Sequence, residues 1–243
     1  MRRREFIAGL GGAAAWPVVA RAQATLLNNP SLESRCGKVA AFRRNLAECG
    51  DVEGAINMAA SEWEIQWSPG MPPTPFVDLD GSGWHFAFPT QDGVHYVTKP
   101  GLWNLQHFTS MQFDFEITGD SPVFKPVADP APKAEQGGRL RFMIERVGDD
   151  MTAANENWRW WARTNVVLGI GSFSFRASLK PSDWFNVFGH SGDESAAYTD
   201  GFIHCIRNAG RIGPTFGWTF AGHGVYLNSG NASFHAKRLV FLL

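Results

Sequence analysis

The stretch Asn155 to Val187, NENWRWWARTNVVLGIGSFSFRASLKPSDWFNV, holds four of the chain's ten tryptophans, at positions 158, 160, 161 and 184. Indole rings set among Asn, Arg and Glu side chains suit a sugar ligand. Sugars present flat C–H faces beside a rim of hydroxyls, and proteins meet them with rings and directional polar groups. In an extended chain alternate side chains share a face. Trp158 and Trp160 are therefore expected on one face, and Arg159 with Trp161 on the other. Trp184, Trp218, His190 and His223 complete the candidate ligand-binding set, and Trp84 has similar polar neighbours. Core packing is the competing use of these rings, because a β-sandwich needs large residues between its sheets.

Other chemistries have weaker support. A glycosidase needs two carboxylates flanking the scissile bond. Glu145, Glu156, Asp193 and Glu194 are the places to look, and taken singly they read as solvated charge. Arg159 is also a candidate ion-pair partner of Glu145. A lyase would draw on His190, His223, Tyr198 and Arg159. No nucleophile elbow, phosphate-binding glycine loop or paired CxxC is present. His190, Asp193 and His204 lack a recognised metal spacing, and His223 is a lone imidazole between glycines, so no metal or cofactor is expected.

The elements that must position these residues are strands. Met111 to Ile117 alternates cleanly, with Phe113, Phe115 and Ile117 on one face. Leu140, Phe142 and Ile144 point inward from the next run, which places Glu145 on the opposite face. Phe173 and Phe175 alternate with Ser172, Ser174 and Arg176. Val94 to Val97 follows an Asp92-Gly93 turn signal. Pro69, Pro72, Pro73 and Pro75 mark a rigid loop. With 26 Gly, 14 Pro and 13% aromatic residues, the 243-residue chain favours strands joined by turns. Hydrophobic residues make up 44% and charged residues 19%, which describes a globular chain. A formal net charge of −1 gives no electrostatic case for a nucleic-acid partner.

Residues 1–22 read as an export signal. Arg2, Arg3 and Arg4 form a basic head, Phe6 to Ala20 is an apolar run too short to span a bilayer with ease, and Ala20-Arg21-Ala22 fits the cleavage rule. Arg3-Arg4-Glu5-Phe6-Ile7 resembles the bacterial twin-arginine signal, which implies export in a folded state. The expected location is periplasmic or secreted, with no stable membrane anchor after signal removal.

Two end segments carry a second resemblance. Ala24-Thr25-Leu26-Leu27-Asn28-Asn29-Pro30-Ser31-Leu32-Glu33 resembles the opening strand of galactose-binding-like jelly rolls of the carbohydrate-binding-module type. Ala232 to Phe241 resembles the closing strand of that family. The resemblance implies that the first and last strands lie close in one sheet. It also brings a structural calcium in some members, but Ala236 and Lys237 stand where the acidic ligands would be.

Residues 34–62 show helical spacing, in Val39 to Phe42 with Leu46 and in Val52 to Ala60. One or two short helices are expected there. Cys36 and Cys49 bracket the first part, and a bridge between them would stabilise by roughly 3 kcal/mol in an oxidising compartment. Two reduced thiols are the alternative. Cys205 lies in an apolar run and reads as a buried thiol.

The expected architecture is all-β: a jelly-roll β-sandwich over residues 23–243, forming one domain with the helical insertion near its N-terminus. The expected function is carbohydrate binding, with a glycan or polysaccharide as partner and no nucleic acid. A glycan-active hydrolase or lyase on the same scaffold is the first alternative, and an envelope protein-interaction module the second. Oligomeric state stays open.

Overall fold

The computed structural model describes residues 53–56, 58–66, 77–78, 83–91, 93–127, 137–150, 152–218 and 224–243. The export segment, the opening motif at 24–33, Cys36, Cys49, the proline loop and His223 lie outside the described residues.

The strands are β1 (Glu53–Ala55), β2 (Glu64–Gln66), β3 (Val77–Asp78), β4 (Trp84–Ala87), β5 (Tyr96–Trp103), β6 (Ser110–Pro126) and β7 (Arg139–Arg146). They continue as β8 (Arg159–Ala162), β9 (Val166–Val167), β10 (Gly171–Ser178), β11 (Trp184–Asn186), β12 (Ala209–Gly217) and β13 (Val225–Leu242). One α-helix, α1 (Ala196–Arg207), separates β11 from β12.

Two antiparallel sheets form. The six-stranded sheet runs β10-β6-β13-β4-β3, with β1 also on β13. The seven-stranded sheet runs β11-β8-β7-β12-β5-β2, with β9 also on β7. Eight strands make the frame: β4, β5, β6, β7, β8, β10, β12 and β13. Numbered one to eight, they lie in the order 1-8-3-6 in one sheet and 2-7-4-5 in the other. That interleaving of two Greek keys is the jelly roll. The expected all-β fold is the fold that forms.

The core lies between the sheets and is built from the period-two positions. Phe113, Phe115 and Ile117 of β6 are buried, as are Leu140, Phe142 and Ile144 of β7. Phe234 of β13 stacks on Phe115 at 5.0 Å and meets Phe216 of β12 edge-on at 5.3 Å. Phe142 stacks on Phe175 of β10 at 4.7 Å. Such ring pairs add to plain area burial. The long β6–β13 ribbon needs a glycine where its strands shift register. Gly230 has φ +76°, and a Cβ there would lie 2.3 Å from the Ser121 carbonyl oxygen.

The helix expected over Val39 to Phe42 with Leu46 lies outside the described residues, and the one expected over Val52 to Ala60 changes. Residues 53–55 are not helical; they pair with Leu242 to Val240 of β13. A sheet edge that offers unpaired backbone groups outweighs weak local spacing over three residues. Only a 3-10 turn, Ala60–Glu62, follows. Among the described residues the α-helix lies late in the chain. Ser195 caps it by accepting from the Tyr198 N–H at 3.3 Å. Its buried residues Phe202, Cys205 and Ile206 form one face. Phe202 packs edge-on against Trp160 at 5.4 Å and beside Trp184 at 5.7 Å, so α1 packs against the core where β8 and β11 contribute to it. Cys205 is the free buried thiol expected, 3.4 Å from the Trp158 carbonyl oxygen. Burial pushes its pKa well up, which keeps it protonated.

Candidate functional site

The outer face of the seven-stranded sheet is the candidate site. Its residues follow from alternation. Because Leu140, Phe142 and Ile144 face the core, Arg139, Arg141, Met143 and Glu145 of β7 face out. Because Trp160 faces the core, Arg159 and Trp161 of β8 face out. The same logic sends out Tyr96 and Thr98 of β5, and Arg211 and Thr215 of β12, around the inward Val97, Ile212 and Phe216. Register aligns Phe185 with Trp161, Trp161 with Met143, and Thr215 with both Arg141 and Tyr96. Tyr96, Met143, Trp161 and Phe185 form a small hydrophobic cluster separate from the main core.

Charged groups flank this apolar stripe along β7. On one side Arg159 is paired with Asp149, Nε to Oδ2 at 2.8 Å, and donates to the Thr152 carbonyl at 2.7 Å. Arg211 donates to Glu145 Oε1 at 3.2 Å and lies 3.6 Å from Glu64. Arg159 and Glu145, a candidate ion pair from the sequence, stand side by side on β8 and β7. Burial pushes the Glu145 carboxyl up to about 7, although Arg211 beside it pulls the other way. Burial also raises the Tyr96 hydroxyl, against the pull of Arg159.

On the other side lie Arg139 and Arg141. Arg141 donates to the Ala162 carbonyl at 3.2 Å and the Trp218 carbonyl at 3.1 Å, with its guanidinium 5.2 Å from the Phe185 ring centre. Burial, with the neighbouring charge of Arg139, draws it down to about 10, so it stays protonated at neutral pH. Arg139 donates to Asn165 Oδ1 at 2.6 Å.

Several polar atoms on this face are buried without a hydrogen-bond partner: Trp161 Nε1, Glu145 Oε2, Thr98 Oγ1, Thr215 Oγ1, Arg139 Nε and Arg211 Nε. A buried polar atom left unbonded costs about 1 to 3 kcal/mol, so such atoms are rare and call for an explanation. Here they collect on one sheet face beside an aromatic stripe, as donors and acceptors of both kinds. On the outer face of the other sheet His85 Nδ1 is in the same condition. Among the described residues no group of three His, Cys, Asp or Glu side chains is placed to hold a metal ion.

The sequence-predicted residues divide. Arg159 and Trp161 lie on the face. Trp160 and Trp184 belong to the core instead, and both indole N–H groups are satisfied there, by the carbonyls of Asn157 at 2.9 Å and Ser178 at 2.7 Å. Trp84 is also in the core. Trp158 does not share a strand face with Trp160. It ends a 3-10 segment and packs half-buried under the Arg146 guanidinium at 4.3 Å. Trp218 follows β12 half-buried, and its carbonyl anchors Arg141. His190 stacks on Tyr198 at 4.6 Å and bonds Glu194 at 3.0 Å, a loop cluster of its own beside the start of α1. That bond to His190 holds the Glu194 carboxyl below its ordinary value. Ser191 donates to Asp193 at 2.5 Å within the same loop.

Arg139, Arg141, Met143, Tyr96, Thr98, Thr215, Phe185 and Arg211 were not singled out from sequence. Alternation along each strand identifies its outward positions. What makes them one surface is the pairing of β5, β12, β7, β8 and β11, which local pattern does not contain.

No protein-family model matches the chain, and no curated protein matches it. Among solved structures, it is similar to a xylan-binding module, CBM15, at 11% identity and a TM-score of 0.41, covering 80% of this chain and 97% of that one. It is also similar to CtCBM11, at 15% identity and a TM-score of 0.41, covering 79% and 95%.

Proposed function

We propose that this is an exported carbohydrate-binding protein whose glycan site is the outer face of the seven-stranded sheet. The Trp161 indole carries the reading. Its N–H is buried without a partner, whereas Trp160 and Trp184, both structural, have theirs bonded to backbone carbonyls. Sugar hydroxyls donate and accept at close spacing, and they fit the mixed set of Trp161 Nε1, Thr98 Oγ1, Thr215 Oγ1 and Glu145 Oε2. The stripe of Tyr96, Met143, Trp161 and Phe185 supplies apolar surface for the C–H faces. Because the stripe is buried at its centre, a glycan reaches it only when the face opens. Trp218 and Arg211, which are partly exposed, are the groups met first.

The mature chain should bind soluble polysaccharides in affinity electrophoresis and quench tryptophan emission on binding. Trp161→Ala should weaken binding by about 1 to 3 kcal/mol, the value of a lost stacked ring. Trp158→Ala, on a residue outside the face, is the control. If both variants bind as the parent does, the site assignment is wrong. Export rests on Arg3 and Arg4. Replacing both by Lys should leave the precursor in the cytoplasm, and normal delivery to the periplasm would remove the twin-arginine reading.

A further inference from the structure

We infer that the polysaccharide is an acidic one, and that Arg139 and Arg141 receive its carboxylate. The inference rests on the glycan reading above and adds the chemical class of the ligand. β7 sets the two arginines two residues apart, so both guanidinium groups rise from one face of one strand. Like charges held this close repel unless an anion lies between them. Elsewhere on the face Arg159 has Asp149 as its counterion, and Arg211 has Glu145 with Glu64. At this end the pattern differs. Among the described residues Arg139 has no carboxylate within ion-pair distance. Its one side-chain bond goes to a neutral amide, Asn165 Oδ1, and its Nε is buried without a partner.

The geometry around Arg141 suits a carboxylate. Two backbone carbonyls, of Ala162 and Trp218, and the ring of Phe185 fix its guanidinium plane. A fixed guanidinium fork matches the two oxygens of a carboxylate, which a lysine ammonium does not. Thr215, the register partner of Arg141 on β12, holds a buried hydroxyl with no partner. It is placed to donate a further bond to the same group. Two residues along β7 from Arg141 lies Met143, about 7 Å at the rise of a strand, and beside Met143 lies Trp161. One sugar unit spans that interval, with its ring on the apolar stripe and its carboxylate at the arginines.

The test compares matched polymers with the mature chain. Polygalacturonate and alginate are each offered intact and with the carboxyls reduced to alcohols, beside neutral xylan and dextran sulfate. The intact acidic polymers should bind at least 10-fold more tightly than their reduced forms. Arg139→Gln should remove most of that difference between intact and reduced polymer, while Trp161→Ala should weaken binding to both forms. If Arg139→Gln does not fold, the comparison of intact with reduced polymer on the parent chain decides alone. Equal binding of intact and reduced polymer overturns the acidic-ligand inference and leaves the glycan reading standing. Dextran sulfate bound as tightly as the uronates means general charge attraction and overturns it too. If none of these polymers binds, the inference and the glycan reading fall together.

Discussion

At the residue scale, neighbouring tryptophans of one strand have opposite tasks. Trp160 enters the core, touches Phe202 and has its N–H bonded. Trp161, one residue on, faces the other way with its N–H unbonded. Single alanine substitutions should separate the two. Trp160→Ala should lower stability by about 3 to 5 kcal/mol, as large-to-small core changes do. It should change glycan affinity little once the protein is held below its melting temperature. Trp161→Ala should lose binding, at a smaller stability cost, because it removes an unsatisfied buried donor together with the ring. Chemical denaturation beside a binding titration of each variant reads both quantities. Equal stability losses with equal binding losses would mean that the two rings serve one core.

At the element scale, much of the fold was legible in the chain itself. β6 and β7 carry pure alternation, so their inward residues Phe113, Phe115, Leu140 and Phe142 could be named directly. α1 was not identified, because Gly201 and the β-branched Ile203 and Ile206 weaken its helical signal. Its real determinants are the Ser195 cap and close packing: a Cβ on Gly201 would lie 2.8 Å from Asn157 Cβ. The candidate face was legible only in part, as Arg159, Trp161 and the outward side of Glu145. The rest depends on strand pairings far apart in sequence. One short element supports the edge of that face. Asn186 of β11 is buried, accepts from the backbone N–H groups of Phe188 and His190, both at 3.0 Å, and donates to Asn157 Oδ1 at 2.9 Å. Asn186→Ala should therefore cost about 1 to 3 kcal/mol through the groups left unbonded. Asn186→Asp, which keeps the acceptors, should cost less. Melting curves that place Asp at or below Ala would show that the turn is held by other contacts.

At the scale of the whole molecule, the buried charge on this face couples folding to pH. The Glu145 carboxyl lies at about 7 in the folded chain, against an ordinary 4.5. As pH rises through 4.5 the unfolded chain gives up this proton first, so between about 4.5 and 7 the folded state binds more protons. Stability from this group therefore falls as pH rises across that window and is level above it. The upper bound is about 3 kcal/mol. Other groups act in the opposite sense. Burial beside His85 lowers His235, which removes stability as pH falls through the ordinary histidine range. The lowered carboxyls of Glu116, Asp150 and Glu194 remove it at more acid pH. The measured profile is the sum of these, so the informative quantity is the difference between the parent and Glu145→Gln, which removes one titration alone. Thermal melts of both at half-unit steps from pH 4.5 to 8 should show the parent losing ground steadily against the variant up to about pH 7, then running parallel to it. Two curves parallel throughout would mean that Glu145 ionises at its ordinary pH, and that the face around it is open to water rather than closed.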